Sequence, residues 1–507
     1  MTDFRRLTCV ILFYGMGCLS SFAHETPVHT TTLTGDLGEI HFENSGARAA
    51  QADFLRGVLL LHSFEFTAAR HAFQLAEQKD PHFAMAYWGE ALSHNQPIWG
   101  EQDLESARAA LDKLASTPSA RAALAATPRE KAYLSSLESL YGTGDKTSRD
   151  ARFCAELRAL ADHYPNDLDA RAFYSLALLG LSGTRRDMKN YMQAAAEAQS
   201  VLDRAPSHPG ALHYLIHAFD DPLHAPLGLH AARLYGQVAP AASHAQHMPS
   251  HIFFSLGMWE DAIKANAASL DTARKQGDGG YHSLLWLTYA RLQLNRVEAA
   301  ASLVNLVAHD VAERPTKDNR VRLAYARAMW LVETNGAPGV DARQPIDATG
   351  IASISYFSAY DFANGITYAR AGHSSEAKQA LADIHARILG APQNIKGATV
   401  EWYDTVTPEE LEQAKIMAMA LEGTLRFYAG DTGGLSQVRQ AISDSQGMVF
   451  EYGPPWSVKP LDELLGELLL HAGQYAEAAA AFEQTLATYP NRRLALRGLA
   501  QASAHQQ

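Results

Sequence analysis

A recurring helix pattern is the feature that most limits what this chain can become. Gly473–Pro490, GQYAEAAAAFEQTLATYP, sets a small residue, an aromatic, Ala, Phe and Leu at fixed offsets and closes on proline. Phe64–Pro81 (FEFTAARHAFQLAEQKDP) repeats those offsets with Ala69, Phe73, Ala76 and Pro81. Leu256–Leu270 (LGMWEDAIKANAASL) does so with Gly257, Trp259, Ala262 and Asn266, and weaker copies lie at Ala371–Leu381 and Tyr191–Pro206. Alanine and glycine let two antiparallel helices approach closely, aromatics fill the space between units, and proline ends the second helix because it has no N–H to continue it. One such unit cannot bury its apolar face alone, so copies must stack. Strand-like alternation is nearly absent, and the expectation is an all-α chain.

Composition narrows the setting. Of 507 residues 47% are hydrophobic and 19% charged, which supports a packed core and argues against wholesale disorder. The formal net charge of -12 disfavours nucleic acid and anionic membrane surfaces as main partners. Arg5 and Arg6 precede an apolar run, Leu7–Leu19, that is too short to span a bilayer. Ser21-Phe22-Ala23 then supplies small residues at -3 and -1, so residues 1–23 read as an export signal cleaved after Ala23. Lipidation at Cys18 is the alternative, and Gly15-Met16-Gly17 fits it poorly. A periplasmic or secreted protein is expected, with residues 24–49 as an N-terminal extension and 50–507 as the repeat array. Cleavage would leave Cys154 alone, which excludes an internal disulfide and a cysteine-built zinc or iron–sulfur site. It would also make His24 the first residue, with His29 nearby; an N-terminal histidine can chelate copper, though coincidence is the plainer reading. No later segment has the length and apolarity of a transmembrane helix.

The repeat spacing resembles the tetratricopeptide-repeat superfamily across nearly the whole mature chain. Residues 84–99 (AMAYWGEALSHNQPIW), 244–259 (HAQHMPSHIFFSLGMW) and 451–470 (EYGPPWSVKPLDELLGELLL) are more particular, and are similar to secreted bacterial repeat proteins of unassigned activity. The resemblance implies a right-handed α-solenoid of about ten or eleven helix pairs. It also implies that the first helix of each pair lines a concave groove, with positions 2, 5, 9 and 12 facing inward. The polar stretches around 116–127, 142–148, 335–349 and 390–407 read as insertions on the rim.

Eight histidines fall between His208 and His251, a span of 44 residues. His213/His217 and His247/His251 are i,i+4 pairs, so each pair shares one helix face. Counting from Pro206 puts His213 and His217 at groove positions 5 and 9; counting from Pro240 puts His244, His247 and His251 at 2, 5 and 9. His282 falls at position 2 or 3 of the next repeat, with Tyr281 as its alternate. Successive first helices lie roughly 8–10 Å apart, a gap that imidazoles can reach across toward one ion. Pro249 sits inside the helix that would carry three of them, which makes His244 the least secure placement. His208, His224 and His230 lie off this register and read as surface or packing residues. Tyr87, Trp88 and Trp99 read first as packing aromatics, and Glu90 with His62 or His94 does not converge. Asp220 and Asp221 read as a helix-terminal turn, with a carboxylate ligand, orienting group or base as the second reading.

Two functional readings stay open. In the first, His213, His217, His244, His247, His251 and His282 hold one or two transition-metal ions; an all-nitrogen set suits Zn, Cu, Fe or Ni over Mg or Ca. An open coordination position would suit hydrolysis or dioxygen chemistry and a small molecule in the groove. In the second, the chain is a scaffold whose groove binds a peptide or protein partner without metal, and the histidines are hydrogen-bonding or pH-sensing contacts. The chain carries no G-x-S-x-G, H-E-x-x-H, phosphate-binding glycine loop or dinucleotide fingerprint.

Overall fold

The computed structural model describes residues 36–182, 186–391, 402–448 and 453–506. The expected export signal, His24 and His29 lie outside the described residues. Among those described, ten antiparallel helix pairs run from Gln51–His62 with Phe66–Lys79 to Leu461–His471 with Tyr475–Thr488, within the expected ten or eleven. Pro118–Leu124, Lys317–Thr334 and Arg493–Ala504 are additional helices without a partner of this kind. Among the described residues, β-structure is confined to a two-residue antiparallel bridge, Asn95–Gln96 with Glu101–Gln102. None of the described helices is long and apolar enough to cross a membrane.

The small residues do what their spacing requires. A Cβ on Gly57 or Gly89 would lie 2.7 or 2.3 Å from the Phe73 ring, and one on Gly466 or Gly498 would lie 2.8 or 2.3 Å from Phe482. Near each end of the array, therefore, one phenylalanine of a second helix wedges between two first helices at the same offsets. Cys154 is buried, and burial pushes its thiol up to about 12, as expected of an inert core residue.

Among the described residues, both ends of the array return to its middle. The described part of the N-terminal extension packs onto the array: Phe42 meets Phe54 and Tyr133, and Asp36 accepts from the Ala241 amide at 2.9 Å. At the other end Arg492, fully buried, pairs with Glu333 at 2.7 Å and Glu463 at 2.6 Å and donates to the Tyr289 hydroxyl. Trp259 donates to the Asn491 carbonyl, and Tyr325 donates to that of Pro455. The last repeats thus seat on helices Tyr281–Gln293 and Lys317–Thr334.

Glu77 and Glu90, on neighbouring helices, are both buried. Gln74 and Lys113 donate to Glu90, so that carboxylate keeps the charge; burial, then Glu90 itself, pushes Glu77 up to about 9. The fold therefore keeps a proton on Glu77 that the unfolded chain releases near pH 4.5, and stability drains as pH climbs from there toward 9. Glu77→Gln is expected to flatten that part of the melting-temperature profile and to melt above the parent at pH 8. A variant curve parallel to the parent's from pH 5 to 9 would show that no proton is held there.

Candidate metal centre

Three consecutive first helices carry the histidines. Helix Pro209–Phe219 begins with proline at its first turn and is capped by His208, whose Nδ1 accepts from the Ala211 amide at 3.2 Å. A Cβ on Gly210 would lie 2.2 Å from His62 Nδ1, so glycine is what lets the end of Gln51–His62 lie against this helix. Pro249 resolves the expected tension by dividing the second helix into Ser243–His247 and Pro249–Ser255. Met248 between them stays helical at φ -53°, ψ -36°. His244, His247 and His251 therefore keep helical spacing across the break. The third helix, Tyr281–Gln293, brings His282.

All six expected ligands come together. His213, His217 and His244 form one group in which a ring nitrogen of each lies within 4.8 Å of the others, and His247, His251 and His282 form a second. His213, His217, His247 and His251 are buried, His244 is half-buried and His282 is exposed. Tyr281, the alternate, turns away and bonds to Asp310.

Hydrogen bonding fixes which nitrogen holds the proton in three of the rings, His213, His247 and His251. His213 Nδ1 lies 2.6 Å from the His62 carbonyl, a terminal helix carbonyl that can only accept, so His213 donates through Nδ1. His247 Nδ1 lies 2.7 Å from Asn266 Oδ1, and the Asn266 amide nitrogen donates to the Ala262 carbonyl, which orients the oxygen toward the ring. His251 Nδ1 donates to Asp220 Oδ2 at 3.2 Å, and His217 Nδ1 stands 3.6 Å from the same oxygen. In these three rings, when neutral, Nε2 is then an acceptor. Yet His247 Nε2 lies 3.1 Å from His251 Nε2, acceptor against acceptor; His282 Nε2 lies 3.0 Å from His247 Nε2 and His244 Nε2 3.2 Å from His213 Nε2, where the outer ring can donate. His217 Nε2 is buried with no hydrogen-bond partner among the described residues.

Protonation does not relieve this crowding readily. Burial first, and neighbouring imidazoles second, hold His213, His244 and His247 well below the usual histidine range; burial also lowers His251 against the pull of Asp220. Burial alone would raise the Asp220 carboxyl, but the His217 and His251 rings at its Oδ2, with Arg186 beside it, keep it ionised well below the ordinary carboxylate value. Asp220 thus ends helix Pro209–Phe219 and also orients two of the rings, joining both readings of its sequence position.

Aromatic residues wall the site. Trp286 stacks on His251 with ring centroids 4.8 Å apart and meets His247 edge-on, while Gly453 packs behind it. Trp99, 48% exposed, stands at the solvent edge 6.3 Å from His244, whereas Tyr87 and Trp88 are buried in the core. The three particular segments of the sequence thus meet here. Phe64 lies against His213, His217 and His244, at centroid distances of 4.2, 5.7 and 5.5 Å. Its φ of +56° is left-handed, and its amide and that of Glu65 close the helix end on Leu61 and Leu60. Gly257 and Gly473 occupy this position, also with positive φ, in the repeats aligned above. Phenylalanine in place of glycine is the sequence signal that marks Phe64, and asparagine in place of the wedge phenylalanine (Phe73, Phe482) marks Asn266; Trp286 and Arg186 offered none.

A further grouping, His62, Asp169 and His208, is a buried polar network in which His208 Nε2 has no hydrogen-bond partner among the described residues. His62 bonds to the Tyr214 hydroxyl through Nδ1 and to Asp169 through Nε2, and His208 Nε2 lies 3.5 Å from Asp169. His208 is thus a buried packing residue, while His224 bonds to Asp221 and His230 is exposed. His62 does not join Glu90.

Residues 464–492 match the tetratricopeptide repeat family. That segment is a tetratricopeptide repeat, and with the stacked pairs described above the chain is an all-α repeat solenoid. It is similar to the human IFIT1 dimer with PPP-AAAA at 12% identity and TM-score 0.37, covering 94% of this chain and 99% of that one. It is also similar to yeast Tom70 at 11% identity and TM-score 0.32, covering 90% and 95%. The APC/C hetero-tetramer Cut9-Hcn1 is similar at 12% identity and TM-score 0.34, covering 91% and 78%. No curated protein matches the chain.

Replacing Phe64 separates its ring from its backbone. Phe64→Ala and Phe64→Gly both forfeit ring packing, a loss of about 3–5 kcal/mol for a buried phenylalanine. The glycine variant is expected to be the more stable by about 1 kcal/mol in denaturant unfolding, because only alanine retains the left-handed penalty. Equal stability, or alanine ahead, would contradict strain at this position.

Proposed function

We propose that the groove holds a transition-metal centre, with His213, His217, His244, His247, His251 and His282 as ligands, in an exported protein. The observation that carries this reading is the approach of His247 Nε2 to within 3.1 Å of His251 Nε2, when the opposite nitrogen of each ring already donates to an oxygen. Two lone pairs at that distance repel, and a cation between them turns repulsion into coordination. The donor set supports Zn, Cu, Fe or Ni. Asn266, Asp220 and the His62 carbonyl hold the rings in the ligating tautomer, the usual role of outer partners at histidine metal sites. A metal with an open position would supply an activated water or a dioxygen site. His244 and His282 stand where solvent and a small substrate would reach it, while Trp286 and Phe64 keep the inner face dry.

Elemental analysis of tag-free protein tests the proposal. Stoichiometric metal is expected in the parent and its loss in His217→Ala/His251→Ala, with chelator lowering the melting temperature of the parent only. Asn266→Ala should weaken affinity by about 10–100-fold, the usual cost of losing an outer partner. Metal-free protein whose melting ignores both chelator and added metal would end the proposal and leave a partner-binding scaffold.

Export is proposed from residues 1–23. Mature protein from the native host is expected to begin at His24, read by N-terminal sequencing; a mature chain that retains Arg5 and Arg6 would overturn this.

A further inference from the structure

We infer that the centre takes two metal ions, one in each histidine triad: His213, His217 and His244 hold the first, and His247, His251 and His282 the second. The inference rests on the metal reading above and sharpens it. The two triads share no residue, and within each the ligand nitrogens lie within 4.8 Å of one another. Nitrogens on opposite sides of one ion, each bound at roughly 2.0–2.1 Å, stand about 4 Å apart, so each triad needs little movement to close on an ion of its own.

The triads are built alike. Each combines two buried rings with one nearer solvent, His244 in the first and His282 in the second. Each also has a buried ring whose Nδ1 is committed to a neutral oxygen, His213 to the His62 carbonyl and His247 to Asn266. Asp220 stands between them: the same Oδ2 accepts from His251 of one triad and lies 3.6 Å from His217 of the other. One carboxylate thus orients a ligand of each ion. The further grouping of His217, Asp220 and His251 is this bridge.

Three protein ligands per ion leave an open position on each. All six donors are imidazoles, which bind as neutral ligands, and the Asp220 carboxylate that orients two of them is already paired with Arg186. Two divalent ions would therefore favour an anionic oxygen ligand, such as hydroxide or a substrate oxyanion, at the open positions.

The test uses the full mature chain, stripped with chelator and titrated calorimetrically with Zn2+, with elemental analysis of the product. Two ions per chain are expected in the parent. One should remain in His213→Ala/His244→Ala and one in His247→Ala/His282→Ala. A parallel titration with Cu2+ probes proximity without relying on any variant. Electron paramagnetic resonance should show an isolated-ion signal at one equivalent, then broadening or loss of signal as the second ion enters beside the first. A parent that saturates at one ion, or two Cu2+ signals that stay isolated at full loading, would overturn the two-ion inference and leave the metal proposal standing. Absence of any bound ion would overturn both.

Discussion

His213, His247 and His251 each donate through Nδ1 to an oxygen, and that commitment decides what the opposite side of the ring can be. Once a carbonyl, an amide and a carboxylate have taken these protons, the remaining nitrogens are acceptors crowded together in a buried volume. The helix end at His62, the amide of Asn266 and the ion pair of Asp220 with Arg186 all serve that single arrangement. Packing alone would have no use for it, because acceptors that face one another gain nothing from burial.

Much of this was legible before any coordinates. Periodic small residues and prolines give the helix pairs, and groove positions counted from Pro206 and Pro240 select five histidines that do meet, with His282 as the sixth. Local spacing suffices there because a helix face is a property of neighbouring residues. What joins the site from a distance was not legible. Trp286 reaches His251, Arg186 reaches Asp220 and Gly453 backs Trp286 only through the stacking of separate repeats. Pro249 was ambiguous because the helix could start near Ser243 with proline inside it, or only at Met248 with His244 and His247 in the preceding turn; here two short helices meet at Met248, which itself stays helical. Phe64 was within reach, since aligning the repeats sets an aromatic where its counterparts have glycine, but the comparison becomes informative only when the neighbouring rings are known.

Strain and buried charge sit in different places in this molecule. Phe64 carries its left-handed backbone at the edge of the histidine cluster, where its ring walls three of the six rings. The buried ions are concentrated at the return of the C-terminal repeats, where Arg492, Glu333, Glu463 and Lys459 complete one another. Removing any one member strands the rest away from water, so the network dictates how the late repeats dock more than it adds net stability.

That docking changes the mechanical character of the array. Helical-repeat chains contacting only their neighbours flex along their length like a spring and can fray from either end. Here Asn491, Arg492 and Arg493 fasten the last turns to residues more than two hundred positions earlier, including Gly257, Tyr289 and Leu292. The spring is clamped at the stretch that carries His251 and His282. Its middle turns cannot open independently of its tail, and the imidazoles keep their spacing while the rest of the superhelix breathes.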